Sequence, residues 1–110
     1  MLTFIESPTF TKQITSLLSD AEYAEFQREL AANPEAGDVI PGLGGLRKVR
    51  MAAKGKGKRG GARVIYLLMI DPGIVYLFYV YTKGDMKDLK PEQKKQLRQS
   101  VEEIKTHYKK

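Results

Sequence analysis

Two apolar runs, Val64–Ile70 and Ile74–Val80, stand on either side of Asp71-Pro72-Gly73. Each is short, rich in β-branched and aromatic side chains, and bounded by turn formers. That pattern marks two strands joined as an antiparallel hairpin. A hairpin this apolar is not stable alone in water; it needs further strands beside it and helices over it. The requirement restricts the chain to a sheet with helical cover, and the remaining segments supply both.

Leu2–Glu6 alternates as a short first strand before Pro8 breaks it, and Phe10, Ile14, Leu17 and Leu18 then recur at helical spacing. Ser19-Asp20-Ala21-Glu22 has the form of a capping box. It opens a second helix with Tyr23, Phe26 and Leu30 on one face, ending near Asn33-Pro34. The two helices make an αα-hairpin whose outer faces hold most of the acidic residues. Residues 34–45, with six Gly or Pro, read as loop. Leu46–Ala52 is the next strand, with Lys48 and Arg50 on one face and Val49 and Met51 on the other. After Ala62–Ile70 and Ile74–Thr82, Pro91 opens a last helix with a stripe of Leu97, Val101, Ile104 and Tyr108. The expected order is β-α-α-β-β-β-α, an α+β fold and a single domain over residues 1–110. Helices are expected to cover one face of the antiparallel sheet and to leave the other open, carrying Lys48, Arg50 and Arg63.

Composition removes several kinds of chemistry. The chain has no cysteine, so disulfides, thiolate nucleophiles and cysteine metal sites are excluded. Its one histidine, His107, lies three residues from the end, and its carboxylates are not paired as metal or acid–base work requires. Neither a metal nor a cofactor is expected. No apolar stretch approaches the ~18 residues of a membrane span, and the start lacks the basic region of a signal peptide. A cytoplasmic protein with no membrane partner is expected.

Charge is segregated along the chain. From Val39 to Ile70 there are eight basic residues and no acid, whereas the first 38 residues carry two basic and seven acidic ones. Such a distribution calls for an anionic partner, and nucleic acid fits it best. Lys54-Gly55-Lys56-Gly57-Lys58-Arg59-Gly60-Gly61 stands at the centre. It contains a G-x-G-x-x-G string, but a β-branched run follows rather than the helix a dinucleotide site requires. Two readings remain, a solvated hairpin loop and a cationic arm that follows a phosphate chain through Lys54, Lys56, Lys58 and Arg59.

The strands offer something more organised. Lys48 and Arg50 are two residues apart on one face, roughly 6.5–7 Å along the strand. Arg63 begins the next strand, and Tyr81 and Lys83 share a face at the end of the last. A concave sheet presenting these cations could hold one phosphodiester through charge-assisted hydrogen bonds and stabilise the charge that builds during phosphoryl transfer. The plainer reading is a basic strand face that serves solubility.

The passages Gly44-Gly45-Leu46-Arg47-Lys48-Val49-Arg50, Lys54–Gly61 and Ala62-Arg63-Val64-Ile65-Tyr66 together resemble the RelE/HigB toxins of bacterial toxin–antitoxin modules. The similarity is greatest to the HigB members. It extends over nearly the whole chain, through Phe4-Ile5-Glu6, Asn33-Pro34, Gly37–Ile40 and Tyr81-Thr82-Lys83. The resemblance implies a RelE-like, microbial-RNase-type fold and a metal-independent endoribonuclease that cuts mRNA in the ribosomal A site. In that scheme the substrate's 2′-OH attacks the adjacent phosphorus, leaving a 2′,3′-cyclic phosphate and a 5′-OH. It assigns catalysis to Lys48, Arg50, Arg63 and Lys83; RNA or ribosome contact is expected of Arg47, Lys54, Lys56, Lys58, Arg59 and Tyr81. The implied partners are the ribosome with its mRNA, a cognate antitoxin of helix-turn-helix type, and operator DNA only through that antitoxin. The chain departs from the family at Leu89, near where RelE has a C-terminal tyrosine, and in lacking the site histidines of some HigB toxins. Two other functions share the same residues: an RNA- or ribosome-binding module that blocks translation without cutting, and a partner that acts in operator regulation.

Overall fold

The structure, a computed structural model, describes residues 2–51, 61–82 and 89–108. Its elements are β1 (Thr3–Glu6), α1 (Pro8–Leu17), α2 (Asp20–Ala32), β2 (Asp38–Val39), β3 (Arg47–Met51), β4 (Ala62–Met69), β5 (Ile74–Thr82) and α3 (Pro91–Tyr108). The expected order holds, with one addition. Two residues of the expected loop, Asp38 and Val39, pair antiparallel with Lys48 and Arg47 as a short edge strand.

Local chemistry sets the element boundaries. Ser7 caps α1 by accepting the Phe10 N–H at 3.0 Å, and Pro8 takes the first helical turn, where a missing N–H costs nothing. At α2 both halves of the capping box form: Ser19 Oγ accepts the Glu22 N–H, and Glu22 Oε1 accepts the Ser19 N–H. The β4–β5 turn places Gly73 at φ 69°, and its N–H donates to Ile70 O at 3.1 Å. Only glycine takes that left-handed conformation at little cost.

The five strands form one sheet in the order β1-β5-β4-β3-β2. β1 runs parallel to β5 and the other pairings are antiparallel. On one face, Phe10, Ile14, Phe26 and Leu30 of the helical hairpin pack on Met51, Ala62, Val64, Tyr66, Val75, Leu77 and Val80. On the other, Leu97 and Val101 of α3, with Leu43 and Leu46, pack on Ile65, Leu67, Phe78 and Tyr81. The expectation of an open face is therefore corrected. The nearly unbroken apolar runs of β4 and β5 are those of strands buried on both sides, and α3 covers the second. What stays open on that side is its β3 end.

A β-bulge adjusts which residues face α3. Ile65 pairs with Tyr79 and Tyr66 with Leu77, so Phe78 is an extra residue on β5. Strict alternation from Tyr76 would send Val80 to the α3 face and Tyr81 to the other. The bulge reverses this: Val80 joins the helical-hairpin core and Tyr81 the α3 core.

Candidate active site

Lys48, Arg50 and Arg63 are brought together by the β3–β4 register. Arg50 lies directly opposite Arg63, and Arg63 directly opposite Tyr81, so these three form a row across three strands. Neighbouring strands are about 4.8 Å apart. Lys48 sits two residues before Arg50 on the same face and pairs on its other side with Asp38. Ala36, Asp38, Lys48, Arg50 and Arg63 line an open concavity of about 650 Å³.

This arrangement costs the fold something. Like charges directly opposite one another destabilise a sheet, and Arg50 faces Arg63. The Nη1 of Arg63 is also buried without a hydrogen-bond partner among the described residues. A buried donor left unpaired costs about 1–3 kcal/mol, more when it is charged. An oxyanion in the concavity would offset both effects by bridging the two guanidinium groups. The arrangement is suited to holding one phosphate and stabilising additional negative charge on it.

The wall of the groove is fixed from the opposite face of the sheet. Buried Tyr66 accepts the Gly37 N–H at 3.0 Å and donates its hydroxyl to Pro34 O at 2.7 Å. Burial pushes the Tyr66 hydroxyl up from its usual pKa, an effect partly offset by the Gly37 N–H. Arg47 Nη1 donates to Gly37 O at 2.8 Å and to Glu35 O at 3.2 Å, and Arg47 Nη2 lies 3.7 Å from the Glu35 carboxylate. A Cβ at Gly37 would come within 2.9 Å of the Tyr66 ring and 3.0 Å of Lys48 O. Close approach of these groups holds residues 34–38 beside Lys48.

The expected site residues divide three ways. Lys48, Arg50 and Arg63 meet in the groove. Arg47, expected at the RNA or ribosome, has its guanidinium engaged by the 35–37 segment on the other face. Tyr81, expected to contact RNA, is opposite Arg63 but only 3% exposed, packed in the core under α3 with Leu89. Lys54, Lys56, Lys58, Arg59 and Lys83 lie outside the described residues. Sequence reasoning missed Asp38, the one carboxylate lining the groove among the described residues, and Tyr66, which holds its wall. Neither carries a local signal: Asp38 sits in a strand too short to show alternation, and Tyr66 reads as one more core aromatic. Among the described residues there is no cluster of three or more His, Cys, Asp or Glu able to hold a metal ion, and no helix is long and apolar enough to cross a membrane. His107 stacks edge-on against Tyr108 at the exposed end of α3.

Two comparisons with known proteins bear on this geometry. The structure is similar to that of E. coli toxin RelE in the free state, a mutant with two arginines replaced by alanine. The TM-score is 0.56 at 14% sequence identity, covering 78% of this chain and 87% of that one. That likeness establishes a RelE-like fold. The family model for the RelE toxin of the RelE/RelB toxin–antitoxin system matches residues 8–110, and the chain accordingly belongs to the RelE toxin family.

Proposed function

We propose that this toxin is a ribosome-dependent endoribonuclease, cutting mRNA in the A site by attack of the substrate's own 2′-OH. The observation that carries the reading is the Lys48–Arg50–Arg63 group, in which a buried guanidinium nitrogen has no partner among the described residues. Arg63 and Arg50 hold the scissile phosphate and stabilise its added charge in the transition state. Lys48, across the strand pair from Asp38, sits where it can lower the barrier to 2′-OH attack. Asp38 is the lining side chain that, when ionised, only accepts hydrogen bonds, which makes it the candidate to receive the 2′-OH proton. Lys83 would assist the 5′-oxygen leaving group.

The partners follow from the family and from charge. A toxin of a toxin–antitoxin system implies an antitoxin; that it is of helix-turn-helix type is part of the proposal. Lys54, Lys56, Lys58 and Arg59 would supply sequence-independent attraction to ribosomal RNA. The test is single-turnover cleavage of mRNA on programmed ribosomes, with a ribosome-free control. Products ending in 2′,3′-cyclic phosphate and 5′-OH, absent without ribosomes, are expected. Translation arrest with intact mRNA would instead support a binding module without catalysis.

A further inference from the structure

β1 ends at Glu6, opposite Leu77, so among the described residues β5 beyond that point has no strand on its outer edge. One of its amides, Val80 N–H, is met by Gln13 Oε1 of α1 at 3.0 Å. Beside it, between α1 and the first turn of α3, lies a hollow of about 500 Å³ lined by Thr9, Gln13, Leu17, Tyr79, Tyr81 and Gln93 among others, none of them charged. At the α3 side, Gln93 Oε1 accepts the Lys90 N–H at 2.9 Å. Both glutamines therefore have their oxygen pinned to a backbone N–H, which fixes the orientation of each amide. Among the described residues neither –NH2 has an acceptor, so two oriented donors stand at a hollow whose described lining is uncharged.

One cross-strand pair links the hollow to the cationic groove. Tyr81 lines the hollow and lies directly opposite Arg63, which lines the groove. Their backbones are thus one inter-strand spacing apart, about 4.8 Å. Single-stranded RNA is read by aromatic and apolar surface against the face of a base and by fixed polar groups at its edge. Half-buried Tyr79 with Leu17 offers the first, and Gln13 with Gln93 the second.

We propose that this hollow receives the nucleobase adjoining the phosphate held by Arg63, favouring bases whose edge presents two acceptors. The inference rests on the reading that the groove holds an RNA phosphodiester. Guanine meets the requirement with O6 and N7, whereas adenine places its N6 donor beside N7. Two donors satisfied by guanine and opposed by adenine correspond to discrimination of roughly tenfold.

Replacing glutamine with glutamate removes the –NH2 donors while keeping an oxygen for the backbone N–H in Gln13→Glu and Gln93→Glu; the added charge acts on GpU and ApU alike, so the ratio of the two is read. Gln93→Met is the uncharged counterpart. The probes are 2′-O-methyl dinucleotides GpU and ApU, which lack the attacking hydroxyl, titrated into the full chain and followed by NMR. GpU is expected to shift the side-chain amide resonances of Gln13 and Gln93. Its roughly tenfold advantage over ApU is expected to fall toward unity in the Gln13→Glu/Gln93→Glu protein and to drop in Gln93→Met. If the dinucleotides move the Arg63 side-chain signal but neither glutamine, this inference fails while the groove reading stands. If they move neither Arg63 nor the glutamines, both fail. An unchanged GpU/ApU ratio in the variants, or glutamine signals that respond only to an extended peptide, would likewise overturn the nucleobase assignment.

Discussion

At the scale of single residues, the proposed site centres on Arg63, whose buried Nη1 has no hydrogen-bond partner among the described residues. Arg63→Ala is expected to lower single-turnover cleavage by about 10²–10³-fold, the usual cost of removing one preorganised transition-state donor. Because Arg63 is only half-buried, the variant should stay folded by circular dichroism. Arg63→Lys keeps the charge but loses the planar fork, so recovery should be partial. Tyr66 makes a different prediction. Its hydroxyl holds the 34–37 segment through two hydrogen bonds, and Tyr66→Phe leaves a buried Gly37 N–H unpaired, costing about 1–3 kcal/mol in urea unfolding. Burial raises the Tyr66 pKa in the folded state, and burial with the Glu6 hydrogen bond raises that of Tyr23. A raised folded-state pKa contributes stability that is fully present below the unfolded value of about 10 and is lost as pH rises beyond it. Unfolding midpoints should therefore decline above about pH 10, less steeply in Tyr66→Phe. The shared face of Lys48 and Arg50 is legible in the sequence because strand alternation places it. Asp38 is not, because its position beside Lys48 comes from a long-range pairing of two residues.

At the scale of elements, the site exists because three strands keep register. The β4–β5 hairpin and the capping box of α2 are local events, legible from a few adjacent residues. The β5 bulge and the covering of the second face by α3 are not local. Phe78 becomes the extra residue only when Ile65 and Tyr66 select their partners, and α3 shows an apolar stripe without stating where it docks. The 43–46 turn is part of that docking. Gly44 has φ 71°, and a Cβ there would come within 2.9 Å of Val101 Cγ1. Gly44→Ala is expected to destabilise the protein by at least about 1–2 kcal/mol, from left-handed backbone strain alone, with the close approach to Val101 adding to it. A variant with an unchanged urea midpoint would show that the turn does not fix α3.

At the scale of the molecule, opposite faces of the sheet carry opposite charge. The helical hairpin contributes Asp20, Glu22, Glu25 and Glu29 on one side, and the cationic groove lies on the other. Among the described residues the charge segregation visible along the chain thus becomes in part a separation in space, with Asp38 the exception. Replacing Lys54, Lys56, Lys58 and Arg59 with glutamine is expected to weaken ribosome binding and to reduce its salt slope, by close to one unit for each phosphate no longer neutralised. Cleavage at saturating ribosome should survive. The arm would then recruit, while the strands on either side of it carry the chemistry. Collapse of single-turnover cleavage in that variant would return the run to the active site.

The central claim is that Arg63 and its neighbours cut mRNA on the ribosome. The most direct measurement is mapping of mRNA ends after induction of the wild-type chain and of Arg63→Ala. The account predicts new 2′,3′-cyclic phosphate and 5′-OH ends at A-site codons with the wild type, and their near absence with Arg63→Ala at equal protein level. Full cleavage by folded Arg63→Ala, or arrested translation over intact mRNA with the wild type, would contradict it.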